Sequence, residues 1–124
     1  MKKIAFGFSR DVFVHPDNSS FALKKAKGAK GREDNYIEYA IYNACFDLHW
    51  FLVPVISCKP GYWGLVALRG DKVRGADKDL IPTQGVPACL VDIGARNWVM
   101  INGRPMLADY GNKFNYFALT GECL

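Results

Sequence analysis

Apolar and small or polar residues alternate from Lys3 to Ser9, a period of two that predicts a first strand, with Val12 to Val14 continuing it beyond Arg10 and Asp11. Pro16-Asp17-Asn18 then turns the chain. From Phe21 to Arg32 neither the strand nor the helix period holds. Phe21-Ala22-Leu23 opens a helical turn at most, and Gly28 and Gly31 punctuate a basic run, so residues 21–32 read as a flexible basic loop.

Asp34 or Asn35 can cap a helix whose apolar positions Ile37, Ala40, Ile41, Ala44, Cys45 and Leu48 fall on one face. At about 100° per residue, Tyr39, Tyr42, Phe46 and Trp50 fall on the opposite face. A helix apolar on both sides is either sandwiched in the core or offers one side to a partner. The chain's texture then changes to period two and turns, predicting strands at 52–57, 62–68, 86–93, 97–101, 104–108 and 114–120. Asn102-Gly103 marks a two-residue hairpin, because a type I′ turn needs positive φ at both positions. Pro105 cannot donate to a ladder and places its strand at an edge. Residues 70–85 form a long polar loop.

Strand, helix and antiparallel meander in that order define an α+β fold: one domain over residues 1–124, with a curved sheet or open barrel of about five to seven strands on one main helix. The 124-residue length fits one core, and half of the residues are hydrophobic, which excludes wholesale disorder. No apolar run approaches the ~20 residues of a membrane span, and the apolar start Ile4 to Phe8, followed at once by Arg10 and Asp11, is too brief for a signal-peptide core, so no export signal is expected. The expectation is a cytoplasmic protein without a membrane partner.

The net charge of +4 is unevenly spread. Residues 1–32 carry eight bases and two acids, a balance of +6, and the remainder sums to −2. A basic end steers phosphate or acidic surfaces. Lys24, Lys25, Lys27, Lys30 and Arg32 are therefore the first binding candidates, joined by the aromatic face Tyr39, Tyr42, Phe46 and Trp50. Gly28-Ala29-Lys30-Gly31 has the spacing of a loop that lets glycines approach a phosphate backbone.

Cys45, Cys58, Cys89 and Cys123 lack the paired spacing of a zinc site or redox motif, so free thiols and no metal or cofactor are expected. Cys45 and His49 stand one helical turn apart, the spacing of a thiolate–imidazole pair, but Cys45 falls on the buried stripe, where a thiol is inert. His15, in a polar turn, could move a proton beside the basic loop with help from Glu33 or Asp34, as a small ribonuclease or toxin requires. No complete set of catalytic roles emerges. The reading is a small non-enzymatic binding protein, such as a phage or viral factor that inhibits or modulates a host machine. Its partner would be a larger protein or protein–nucleic acid assembly with an acidic or phosphate-rich surface. The alternatives are RNA or DNA binding through residues 24–32 and RNA cleavage by His15.

Overall fold

A computed structural model of the chain describes residues 1–87, 90 and 95–122. Three strands precede the main helix: β1 (Lys3–Phe6), β2 (Arg10–Val14) and β3 (Phe21–Ala26). The helix α1 spans Ala29–Ala44, and a short 3-10 turn, Phe46–Leu48, follows it. Then come β4 (Val55–Cys58), β5 (Gly64–Leu68), β6 (Asp71–Lys72), β7 (Trp98–Ile101), β8 (Arg104–Leu107) and a second helix, α2 (Lys113–Thr120).

The chain is α+β, as expected, but its strands form two antiparallel sheets instead of one curved sheet or open barrel. The first has five strands in the order β1-β2-β3-β5-β4, and the second has three in the order β6-β7-β8. Neither closes on itself. The meander is also preceded by three strands, because residues 21–26 are β3 and occupy the centre of the first sheet between β2 and β5. Residues 21–32 are therefore strand, a two-residue connection and the first turn of α1, and not a flexible loop.

Asn102 and Gly103 have φ of 51° and 76°, as the type I′ turn between β7 and β8 requires. Pro105 lies on the outermost strand of its sheet, and further along that strand Leu107 forms a parallel bridge to Leu52. Within the expected polar loop 70–85, β6 pairs with β7 and Gly75–Leu80 form 3-10 turns. The strand expected at 86–93 lies mostly outside the described residues, as do Cys89 and Cys123. That expected at 114–120 is instead α2, with the Asn112 side chain accepting from the Asn115 amide at 2.8 Å and Gly121 stopping it in the left-handed region.

The apolar part of α1 packs as its spacing requires: Ile37, Ile41 and Cys45 are buried with Phe51, Leu52, Trp98, Leu107 and Tyr110. Complete burial of each large side chain contributes about 1.5–3 kcal/mol. Ala44, expected on that seam, is exposed instead. A smaller cluster of Val53, Ala67 and Met106 joins residues of both sheets.

Candidate functional site

The first half of α1 buries polar residues. Asp34, Asn35 and Glu38 face the sheet, and Glu38 sits between two cations from neighbouring strands. Its carboxylate accepts from Arg10 at 3.2 Å and from Lys24 at 2.6 Å. Arg10 also donates to Asn35 Oδ1 at 3.0 Å and to Asp109 at 2.8 Å, while Lys24 donates to the carbonyl of Ala108. Burial alone would lower the Arg10 pKa, but Glu38 and Asp109 outweigh it and hold the guanidinium above its ordinary value. Lys24 is thus a buried structural cation and does not belong to an exposed binding loop.

The other basic candidates are dispersed by the fold. Lys25 follows Lys24 on β3 and faces away from α1. Lys27 donates to the Gly7 carbonyl at 2.8 Å and approaches Asp11 at 3.5 Å. Lys30 pairs with Asp34 at 2.8 Å inside the first turns of α1, and Arg32 donates from Nε to the Gly61 carbonyl at 2.9 Å. Gly31 is buried in α1 and meets Ser9 and Ala26, so its lack of a side chain serves packing against the β1–β2 hairpin.

The aromatic candidates do not form one helical stripe, because α1 ends at Ala44. Tyr39 is partly exposed beside Tyr62, with ring centroids 6.5 Å apart, while Tyr42 stacks on His49 at 3.9 Å. Phe46 is exposed and Trp50 half-exposed in the turns beyond the helix. Trp50 lines a shallow depression with Leu80, Pro82 and Arg104, and Arg104 donates to its carbonyl at 2.9 Å.

The catalytic candidates are also accounted for structurally. His49 Nε2 lies 2.5 Å from the Tyr42 carbonyl, a contact that requires the proton on Nε2. Burial, with the nearby Asp47, pushes the Cys45 thiol up and away from thiolate chemistry. His15 accepts from the Asp17 amide at 3.1 Å at the far end of β2 from Lys27. Glu33 pairs with Lys113 at 3.4 Å, and Asp34 accepts from Ser9 at 2.6 Å, so neither reaches His15 in its turn.

What the fold does bring together is one end of the first sheet. The β1–β2 connection Gly7-Phe8-Ser9, the β3–α1 connection and the β4–β5 connection meet there. The Lys27 amide donates to the Ser9 carbonyl at 2.9 Å, and on the other side the Ala26 amide donates to the Trp63 carbonyl at 2.8 Å. Asp11, Lys25 and Gly64 lie side by side across β2, β3 and β5, all facing away from α1, and the stem of Lys59 covers Gly64. Lys3 bridges Asp11 at 3.3 Å. Lys3 and Lys27 thus pair with Asp11, Lys25 stands beside it on β3 and Lys59 lies over β5, so four lysines share the outward face of this end of the sheet.

Two exposed aromatics flank this cluster. Phe8, at the hairpin tip, is 98% exposed, and Trp63 is 46% exposed. The loop carrying Trp63 holds Tyr62 at φ 60°, a left-handed conformation that costs a bulky residue on the order of 1–2 kcal/mol. Asn35 clamps it by donating to the Tyr62 carbonyl at 2.8 Å, and Tyr36 packs edge-on against the Tyr62 ring at 5.0 Å. Sequence reasoning missed Phe8 and Lys59, because the first is one apolar residue of an alternating strand and the second is remote in the chain, and it left Trp63 as a strand aromatic with no motif around it. No family model matches the chain, and no curated protein is significantly similar to it.

Proposed function

We propose that this is a non-enzymatic binding protein whose partner presents phosphate or carboxylate groups to the basic and aromatic end of the five-stranded sheet. The row of Lys3, Lys25, Lys27 and Lys59 on the outward face at this end of the sheet, with Asp11 as the acid paired to Lys3 and Lys27, carries the reading. Like charges held together by a fold create a field that draws polyanions and weakens with salt. Support also comes from the ionisable groups best placed for chemistry: Arg10, Lys24 and Glu38 are fixed to one another inside the protein, and the Cys45 thiol is raised. A small protein of this kind works by occupying a surface, as an inhibitor or modulator of a larger assembly does.

Inorganic polyphosphate is a suitable probe because it is a polyanion without bases or side chains. Binding is expected at low salt and should weaken steeply as salt rises, and Lys25→Gln combined with Lys59→Gln should weaken it further without changing the melting temperature. An absence of polyphosphate binding at low salt, or equal binding by the double variant, would contradict the reading.

A further inference from the structure

Lysines alone do not distinguish one polyanion from another, but Phe8 and Trp63 do. We infer that this end of the sheet binds single-stranded nucleic acid, with Lys25, Lys27 and Lys59 meeting phosphates and Phe8 and Trp63 stacking on unpaired bases. The inference rests on the binding reading above and deepens it.

Three features favour this occupant over an acidic protein. Protein interfaces are built around a contiguous apolar centre and are depleted in lysine. Here Phe8 projects from a tip between Gly7 and Ser9, beside Lys27, so its ring stands apart and is surrounded by polar chain. A ring standing apart suits stacking, since one base needs only one aromatic face. The tip is also rigidly held: Lys27 donates to the Gly7 carbonyl at 2.8 Å, the Lys27 amide to the Ser9 carbonyl at 2.9 Å, and Ser9 Oγ to Asp34 at 2.6 Å. An aromatic anchor whose backbone is already fixed loses only the freedom of its own side chain when it binds.

The spacing agrees as well. Phe8 lies in the β1–β2 connection and Trp63 immediately precedes β5, so their backbone positions flank β3 about two strand spacings apart, roughly 10 Å. At about 3.4 Å per stacked nucleotide, that is the reach of two to three nucleotides. Duplex bases are already stacked on one another and must be unstacked, at about a few kcal/mol per step, before a ring can insert, so unpaired bases are the favoured occupant of both aromatics.

The test titrates the full chain with fluorescent oligouridylate and oligothymidylate, the matching duplexes, and polyglutamate, at about 50 to 200 mM salt. Single strands are expected to bind more tightly than duplex or polyglutamate and to quench Trp63 fluorescence, a signal lost in Trp63→Leu. Phe8→Ala should weaken single-strand binding by about 5- to 150-fold at an unchanged melting temperature, the range set by the loss of one stacked base. With three phosphate contacts the log-affinity against log-salt slope should be about −2, and Lys25→Gln with Lys59→Gln should flatten it by about 1.4. Duplex binding as tight as single-strand binding, or a Phe8→Ala chain with unchanged affinity, overturns the single-strand inference while polyphosphate binding still supports a polyanion partner. Tighter binding to polyglutamate than to oligonucleotide overturns it in favour of an acidic protein. Failure to bind any of these probes or polyphosphate overturns both.

Discussion

A β-carbon at Gly31 would overlap the carbonyl oxygen of Ser9 and stand 2.9 Å from Ala26. The first turn of α1 and the tip of the β1–β2 hairpin are therefore in backbone contact, and this contact sets the position of Phe8. Gly31→Ala is expected to destabilise the protein by about 1–3 kcal/mol, the usual cost of overpacking against atoms that cannot rotate aside. Gly28 has open space around it and an extended φ of 172°, so Gly28→Ser should be neutral or slightly stabilising as a helix cap. Urea denaturation of the two variants checks the contrast, and equal losses would refute the contact.

Glu38 is the shared counter-charge of Arg10 and Lys24. Glu38→Gln removes that charge and leaves two buried cations, for which a loss of about 3–5 kcal/mol is expected. Asp109 is 57% exposed, and Asp109→Asn should cost under about 1 kcal/mol, since a solvated partner contributes little. Chemical denaturation of both variants measures the difference.

How much of this was legible beforehand depended on what each residue buries. The Asn102-Gly103 turn and the edge position of Pro105 follow from local backbone chemistry and are found as expected. The Ile37 and Ile41 stripe is likewise apolar and buried. Asp34 and Asn35 read as caps and so predict a later start for α1, whereas both are inside the helix and hydrogen-bonded to other elements. Lys24 made β3 look like a loop for the same reason, since its partner Glu38 is distant in sequence. In α2 the cap Asn112 and the stop Gly121 were visible, but the aromatic content of 114–120 suggested a strand. The candidate site was half legible: its lysines stood in the charge asymmetry, but their meeting with Phe8, Lys59 and Trp63 required the sheet order.

Ile41→Asp should abolish cooperative folding, because Ile41 is completely buried and an unpaired interior charge costs several kcal/mol, on the order of the whole stability. Ala44→Lys, at an exposed position one turn on, should change stability by no more than about 0.5 kcal/mol. Thermal melts of the pair check the corrected seam.

Partial desolvation pushes the Asp11 carboxyl up, but Lys3 and Lys27 outweigh it and hold its pKa below the ordinary carboxylate value of about 3.9. The unfolded chain then binds more protons between the two values, so the stabilisation from Asp11 is complete above the ordinary value and is lost as pH falls through the lowered one. An NMR titration of the carboxyl should give a midpoint below the ordinary value, and Lys3→Gln or Lys27→Gln should raise it. An unshifted midpoint would contradict the arrangement of lysines around Asp11.

The most direct measurement of the central claim is amide chemical-shift mapping of the labelled full chain during titration with oligouridylate. Shifts should concentrate at residues 7–9, 25–28 and 59–64, the three connections that meet at one end of the five-stranded sheet. Shifts centred instead on residues 46–50 and 80–82, around Phe46, Trp50 and Leu80, or on α2 around Phe114 and Phe117, would place binding on another exposed aromatic surface and contradict the account.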